Sequence, residues 1–424
     1  MANVARAILI LFVVIMISGC NKEDKARVKA CVDVKDKFKQ KGTPGLFLFV
    51  DATQSMTGFV DDHNSTYSKF IRNNLHTLAD SNRPAKFFSF GDKIDNITDN
   101  NFIWVSINKE FYQQSNTLLS EPLKKVLDKS PSSFVIISDM VISTERGKRN
   151  AEIDMIGEQI MKLSQNGYSF TLIGIKSQFN GDAYSEILRS TIKQSNDENQ
   201  LFEGARPFYL LVGYRKGSEP KNLPNPPEKI KFIDNAALPT FSTPPGFIDS
   251  GFNFLKECDK KANDSSAYVV SWKEDKTINK ANFSLTIETI ANETAIDNIT
   301  IETAVLRTQT DEKIADIHVV MSKDDKKHKT KLEIEIPRKL LKTVTNNDNT
   351  SNCKTKDYSY YAIDLMMKNE NIKIDKWVGE WSTQDDSNIA SFTKTFGLED
   401  IVSIISDGIV KPLRFYLIIE NQQQ

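Results

Sequence analysis

Asp51, Thr53 and Ser55 stand at alternate positions where the apolar run Leu46-Phe47-Leu48-Phe49-Val50 ends. One carboxylate and two hydroxyls on a turn are the hard oxygen donors that a divalent cation of the magnesium type takes. Two further residues offer the same chemistry from elsewhere in the chain. Asp139 closes the run Phe134-Val135-Ile136-Ile137-Ser138, and Thr117 lies in Ser115-Asn116-Thr117-Leu118, just ahead of a helix start. Asp51 and Ser55 alone would serve equally well as helix caps, but capping calls for neither Thr117 nor Asp139. Other chemistries lack their residues. His63, His76, His318 and His328 are scattered rather than clustered for zinc. Thr53 occupies the place where a phosphatase of the haloacid-dehalogenase type carries its second aspartate, and neither a nucleophile elbow nor a Walker loop is present. An enzyme is not expected.

The elements that must position these residues follow from the pattern between Leu46 and Tyr214, where apolar strands alternate with amphipathic helices. That alternation predicts an α/β doubly wound sheet with helices on both faces. Strands are expected at Leu46 to Val50, Lys86 to Phe90, Ile103 to Ile107, Phe134 to Ser138, Ser169 to Ile175 and Pro207 to Gly213. Helices are expected from Tyr67 to Ala79, from Ser120 with Pro122 in its first turn, through Ile153, Ile156, Ile160 and Leu163 to Asn166-Gly167, and from Ala183 to Lys193. In such a sheet ligands gather beyond the carboxyl ends of the strands, where Asp51 and Asp139 both lie.

The run Asp51-Ala52-Thr53-Gln54-Ser55 resembles the D-x-S-x-S turn of the von Willebrand factor type A family, with threonine for the first serine. Thr117 matches the family's loop threonine and Asp139 its strand-end aspartate, and Phe88-Ser89-Phe90-Gly91-Asp92 looks like its second strand and following turn. The resemblance covers residues 45–214 and implies a Rossmann-like fold and a metal-ion-dependent adhesion site formed by Asp51, Thr53, Ser55, Thr117 and Asp139. It further implies Mg2+, or Mn2+ or Ca2+, as cofactor and a protein partner whose exposed Asp or Glu completes the coordination. Hydroxyl donors leave the cation under-neutralised, which is why a carboxylate is attracted. Two departures stand out: Thr53 adds a methyl, and Met140 follows Asp139 where the family usually has glycine.

Residues 1–19 read as a secretory leader: Arg6, an apolar stretch from Ala7 to Met16, then Ile17-Ser18-Gly19-Cys20, which resembles a bacterial lipobox with Cys20 as the lipidated residue. The resemblance implies a protein anchored by lipid in the cell envelope. Asn21 in place of aspartate favours an outer membrane facing the periplasm where the cell has one. Residues 20–44, dense in Lys, Asp and Glu, read as a tether. The 424 residues exceed one core and predict two or three domains. With 55 basic and 56 acidic residues and a formal net charge of -1, the chain lacks the electrostatic footprint of a nucleic-acid binder. Cys31, Cys258 and Cys353 allow one disulfide at most; sequence does not pair them, although their common place in the carboxyl-terminal half favours Cys258 with Cys353.

Seven prolines between Pro220 and Pro245 mark residues 215–250 as a linker or an extended wrap around the first domain. Residues 251–424 are expected to form a β-rich, sandwich-like domain, from strands Ala267 to Trp272, Phe283 to Thr289, Ile299 to Leu306, Ile314 to Met321, Leu332 to Ile336 and Tyr358 to Met367. Near the end, Leu398, Ile401, Val402, Ile405 and Ile409 share one helical face and Phe415 to Ile419 reads as a last strand. The rest is read plainly: Trp377 and Trp381 as core packing, His76 as a surface residue, Asp61-Asp62-His63 as solvated loop, and Lys323 to Lys329 as a charged hairpin loop. Function is expected to be metal-assisted protein binding, the alternative being a metal-free envelope scaffold that binds through its β-rich domain.

Overall fold

The structure is a computed structural model that describes residues 27–31, 43–97, 102–105, 107–192, 201–215, 217–232, 252–258, 266–272, 282–289, 299–308, 313–324, 329–337, 340–341, 358–369 and 374–420. Residues 1–19, expected to be a leader, and Cys20 and Cys353 lie outside these residues. No helix among the described residues is long and apolar enough to cross a membrane.

The chain divides into two units, one of Lys41–Ala236 with Asn371–Lys411, the other of the remainder. In the first, β1 (Thr43–Asp51), β2 (Ala85–Phe90), β3 (Asp95–Ile97), β4 (Pro131–Ser138), β5 (Tyr168–Gly181), β8 (Phe202–Arg215) and β9 (Lys229–Lys231) form a seven-stranded sheet in the order β3-β2-β1-β4-β8-β5-β9. A separate hairpin joins β6 (Ala183–Ser185) to β7 (Ser190–Ile192). β1 runs parallel to β2 and β4. Its apolar run is continuous because both faces are covered: Phe47 and Phe49 enter one buried cluster, Leu46, Leu48 and Val50 the other. The first face packs under the Ser120–Lys129, Arg149–Gln165 and Leu398–Gly408 helices through Leu123, Ile156, Ile160, Ile401 and Ile405. The second packs under the helical path from Thr66 to Ser81, a π-turn at Phe70–Asn74 in its middle, through Tyr67, Ile71, Leu75 and Leu78.

The sheet is mixed rather than wholly parallel. β8 lies between β4 and β5 and is antiparallel to both, so its amino end, not its carboxyl end, reaches the edge where β1 and β4 finish. Three local expectations change. Ile103 to Ile107 is not a strand: Phe102–Val105 is helical, with Val105 buried and Trp104 43% exposed, one wet side that a short apolar run does not announce. Residues 183–192, within the expected helix from Ala183 to Lys193, form the β6–β7 hairpin instead, because Asp386, about two hundred residues away, accepts hydrogen bonds from Ser185 Oγ at 2.8 Å and from the Glu186 and Ile187 amides at 2.7 and 3.2 Å. And residues 371–411, expected within the β-rich domain, belong to this unit, where Val378, Trp381, Leu398, Val402 and Ile409 complete its first buried cluster. Trp377 packs edge-on to Trp381 at 5.2 Å, as core. The proline-rich stretch, as far as residue 232, packs on this unit: Lys221 and Asn82 exchange two hydrogen bonds and β9 pairs with β5, while residues 233–250 lie outside the described residues.

The second unit is one eight-stranded sheet, where a sandwich is expected. Its order is Phe252–Glu257, Ser266–Trp272, Val410–Glu420, Tyr358–Asn369, Ile299–Thr308, Lys313–Asp324, Lys329–Pro337, Asn282–Thr289. Period-two alternation sends Tyr268 and Val270 to one face and Ala267 and Val269 to the other, and both faces are buried. The disulfide joins Cys31 to Cys258, Cα atoms 5.5 Å apart, rather than Cys258 to Cys353. A helical turn at 27–31 brings this about by burying Ala30 beside Cys258, so part of the expected tether is docked on the sheet.

Candidate metal centre

The carboxyl edge of β1 and β4 gathers four of the five expected oxygen-bearing side chains by direct hydrogen bonds, and Ser138 joins them. Asp51 accepts from the Thr53 amide at 3.0 Å and from Thr53 Oγ1 at 2.7 Å on Oδ1, and from Ser138 Oγ at 2.6 Å on Oδ2. Thr53 Oγ1 in turn lies 3.1 Å from Ser55 Oγ and 3.2 Å from Thr117 Oγ1. Asp51, Thr53 and Thr117 are buried. They meet because the register of the parallel pair β1–β4 sets Val50 against Ile137, which brings the next residues, Asp51 and Ser138, together. Thr117 arrives from a loop that β1 holds: the Gln54 amide donates to the Gln114 carbonyl and the Gln114 amide to the Ala52 carbonyl, both at 3.0 Å. Gly91 permits this approach, since a Cβ there would stand 2.7 Å from Gln114 and 3.0 Å from Thr53.

Asp139, the fifth expected residue, is buried beside this group but engaged elsewhere. Its Oδ2 accepts from Arg206 Nη2 at 3.0 Å and its Oδ1 from the Val141 amide at 3.1 Å. Its charge is felt at Asp51: burial first, then the Asp139 charge, push the Asp51 carboxyl up to about 7 against the opposing hydrogen bonds from Ser138 and Thr53. Met140, next in the chain, has φ 58°, the left-handed region that a residue without a Cβ enters at least cost. The place where the resembled family usually carries glycine is therefore a place where the backbone asks for it, and the buried Met140 side chain occupies the core instead.

Sequence reading passed over four residues that shape the centre. Asp92 accepts from the Ser115 amide at 2.7 Å and from Asn116 Nδ2 at 2.6 Å, steadying the loop that presents Thr117. Glu152 accepts from the Ser120 amide and Oγ, both at 2.8 Å, and fixes the helix start just beyond it. Ser138 and Arg206 complete the set. Asp92 sits in a stretch already singled out, and a Gly-Asp turn after a strand is its signal. Nothing local marks Arg206, because only the reversed direction of β8 carries it to this edge. Asp61, read as plain loop, takes hydrogen bonds from Lys109 and Asn180, and His76 pairs with Asp80 at the surface.

Beside this group opens a cleft of about 620 Å³, whose walls include Thr53 and Ser55 together with Asn116, Tyr184, Arg189 and Arg206. The donor set suits a hard divalent cation: a buried carboxylate and three hydroxyls converge from two segments, and among the described residues no basic side chain pairs with Asp51. Burial without a counter-charge is what raises that carboxyl, and a cation would relieve it. No group of three or more His, Cys, Asp or Glu placed to hold a metal occurs among the described residues; the centre here is built mostly of hydroxyls. Comparison with protein-family models, with characterised proteins and with solved structures finds no match for this chain.

Proposed function

We propose that the first unit is a domain of the von Willebrand factor A type and that the protein, lipid-anchored at Cys20 in the cell envelope, binds a protein partner through a divalent cation. Asp51, Thr53, Ser55 and Thr117 hold Mg2+, or Mn2+ or Ca2+, with Asp139 behind them. The bound cation supplies a Lewis-acidic position that accepts one carboxylate oxygen of an Asp or Glu on the partner. The chain's own residues do the rest: Ser138 and the Thr53 amide orient the Asp51 carboxylate, Asp92 holds the Thr117 loop, and the cleft admits the partner's side chain. The observation that carries this reading is Asp51 itself, a buried carboxylate met, among the described residues, only by hydroxyls and an amide, and bonded to Thr53, which lines an open cleft. No catalytic role is proposed.

Thermal unfolding of the mature chain in EDTA, Mg2+, Mn2+ and Ca2+, repeated with Asp51→Ala, tests it. A ligand bound by the native state alone raises the unfolding temperature. Cation-dependent stabilisation that Asp51→Ala abolishes is the expected result; identical curves in EDTA and in millimolar cation, with acetate present as well as without it, would sink it. One observation favours the second reading, the metal-free scaffold: the Arg206 guanidinium already supplies a positive charge to Asp139. In that case binding to a partner is indifferent to chelator and maps to the β-rich unit.

A further inference from the structure

Arg206 is a peculiar neighbour for a cation site. It is 5% exposed, its Nη2 donates to Asp139 at 3.0 Å, and its guanidinium carbon stands 5.1 Å from the Phe179 ring and 5.2 Å from the Phe392 ring. Its Nε finds no hydrogen-bond partner among the described residues. Yet it also lines the cleft, on the same wall system as Thr53 and Ser55. The register of β5 and β8 pairs Arg206 with Ser177, and the two rings clasp it from opposite partners, Phe179 on β5 and Phe392 on the returning segment. A charged group held so tightly has a permanent electrostatic effect on whatever occupies the space beside Asp51 and Asp139.

The charges at the centre decide what that effect is. Two buried carboxylates beside each other would attract a divalent ion strongly and be left neutral by it. With the Arg206 guanidinium paired to one of them, the attraction is reduced, and the ion-loaded centre carries surplus positive charge in a poorly solvated place. An anion arriving through the cleft removes that surplus.

We propose that Arg206 is a resident cation of the centre that weakens its hold on a divalent ion alone and couples ion binding to binding of a carboxylate, so that ion and partner join together more tightly than either joins singly. This rests on the metal reading above. The coupling is reciprocal, as any linkage between two ligands must be. It makes the centre responsive to its partner rather than permanently loaded.

The test is Mn2+ binding to the mature chain, followed by electron paramagnetic resonance of the unbound ion and by isothermal titration, with and without acetate as the carboxylate probe. Wild type is compared with Arg206→Met, which keeps the apolar stem between the two rings, with Arg206→Gln, which keeps a donor for Asp139 should the methionine variant fail to fold, and with Asp51→Ala. Loss of the guanidinium is expected to tighten Mn2+ binding by at least about tenfold and to erase the gain in Mn2+ affinity that acetate gives wild type. A purely structural Arg206 would give no such tightening. If wild type binds Mn2+ at a site that Asp51→Ala destroys, and both variants bind it equally or more weakly, the inference is overturned while the metal reading stands. If no form binds Mn2+ at millimolar concentration, the metal reading itself falls and takes the inference with it. If only the Arg206 variants bind, the resident cation is upheld in its extreme form, as a residue that keeps the ion out until a carboxylate arrives.

Discussion

Each unit of this protein buries an aspartate completely, and the two are treated in opposite ways. Asp364 in the β-rich unit is gripped by two arginines: Arg307 Nε at 2.6 Å, Arg414 Nε at 2.6 Å and Arg414 Nη2 at 2.8 Å. Asp51 in the α/β unit receives only hydroxyls and one amide. A carboxylate whose lone pairs and charge are both met inside the protein is part of the framework, since the geometry offsets its desolvation. A carboxylate whose lone pairs are met but whose charge is not has been left with a deficit that something from outside can fill. Asp139, with one arginine, stands between these extremes.

The largest effect that would sharpen this contrast is at Asp364. Asp364→Ala takes from two partly buried guanidinium groups the carboxylate they share and is expected to cost about 3–5 kcal/mol. Denaturant unfolding should register that loss equally in EDTA and in Mn2+. A cation-dependent loss would break the distinction between the two aspartates.

Next comes the pH response of Asp51. Its folded-state pKa, about 7, lies above the ordinary aspartate value of 3.8, so the native state binds this proton more tightly than the unfolded chain does. The associated stability is therefore complete below the unfolded value and is lost as pH rises through the folded one, an effect of up to about 4 kcal/mol. In EDTA the protein should become less stable between about pH 4 and pH 7 on this account. Asp51→Asn should flatten that slope and be more stable than wild type at pH 8 in EDTA by roughly 1–3 kcal/mol, while losing the stabilisation by Mn2+. A variant less stable than wild type under those conditions would show that Asp51 is a framework residue like Asp364.

A smaller effect tests the backbone beneath the site. At most buried positions alanine is the better replacement, but Met140 has φ 58°. Met140→Gly should therefore exceed Met140→Ala in stability by about 1 kcal/mol, although both fall below wild type through loss of a buried side chain. The reverse order in thermal unfolding would remove the argument that this turn asks for glycine.

The smallest stability effect belongs to Thr117→Val, which removes one buried hydroxyl and keeps the shape. About 1 kcal/mol or less should be lost, yet Mn2+ affinity should drop by at least about tenfold because a ligand oxygen is gone. Unchanged Mn2+ affinity in this variant would mean that the loop only supports the centre.

How much could be read in advance depended on whether the cause was local. Asp51, Thr53 and Ser55 are legible because one turn carries all three, and Asp139 because it closes an apolar run; a strand end is visible wherever apolar alternation stops. The strands around Leu46, Phe134 and Tyr358 are long or doubly buried, and apolar content alone exposes them. The helical turn Phe102–Val105 is not legible, because four residues do not separate a period of two from one of 3.6. The β6–β7 hairpin is hidden for a different reason, since the Asp386 carboxylate that pins its turn enters from far along the chain.

The sequence by itself determined the alternation that makes an α/β layer, the β-rich character of the other half, and the run of oxygen donors at the end of β1, because each depends on residues within a few positions of one another. Tertiary structure alone decided that β8 runs against its neighbours and so delivers Arg206 to Asp139, that residues 371–411 return to close the first core, that Cys31 rather than Cys353 meets Cys258, and that among the described residues Asp51 has no counter-charge while Asp364 has two. Strand direction, chain return and charge pairing are set by which distant surfaces bury one another most completely, and that is a property of the packed molecule, not of any window along the chain.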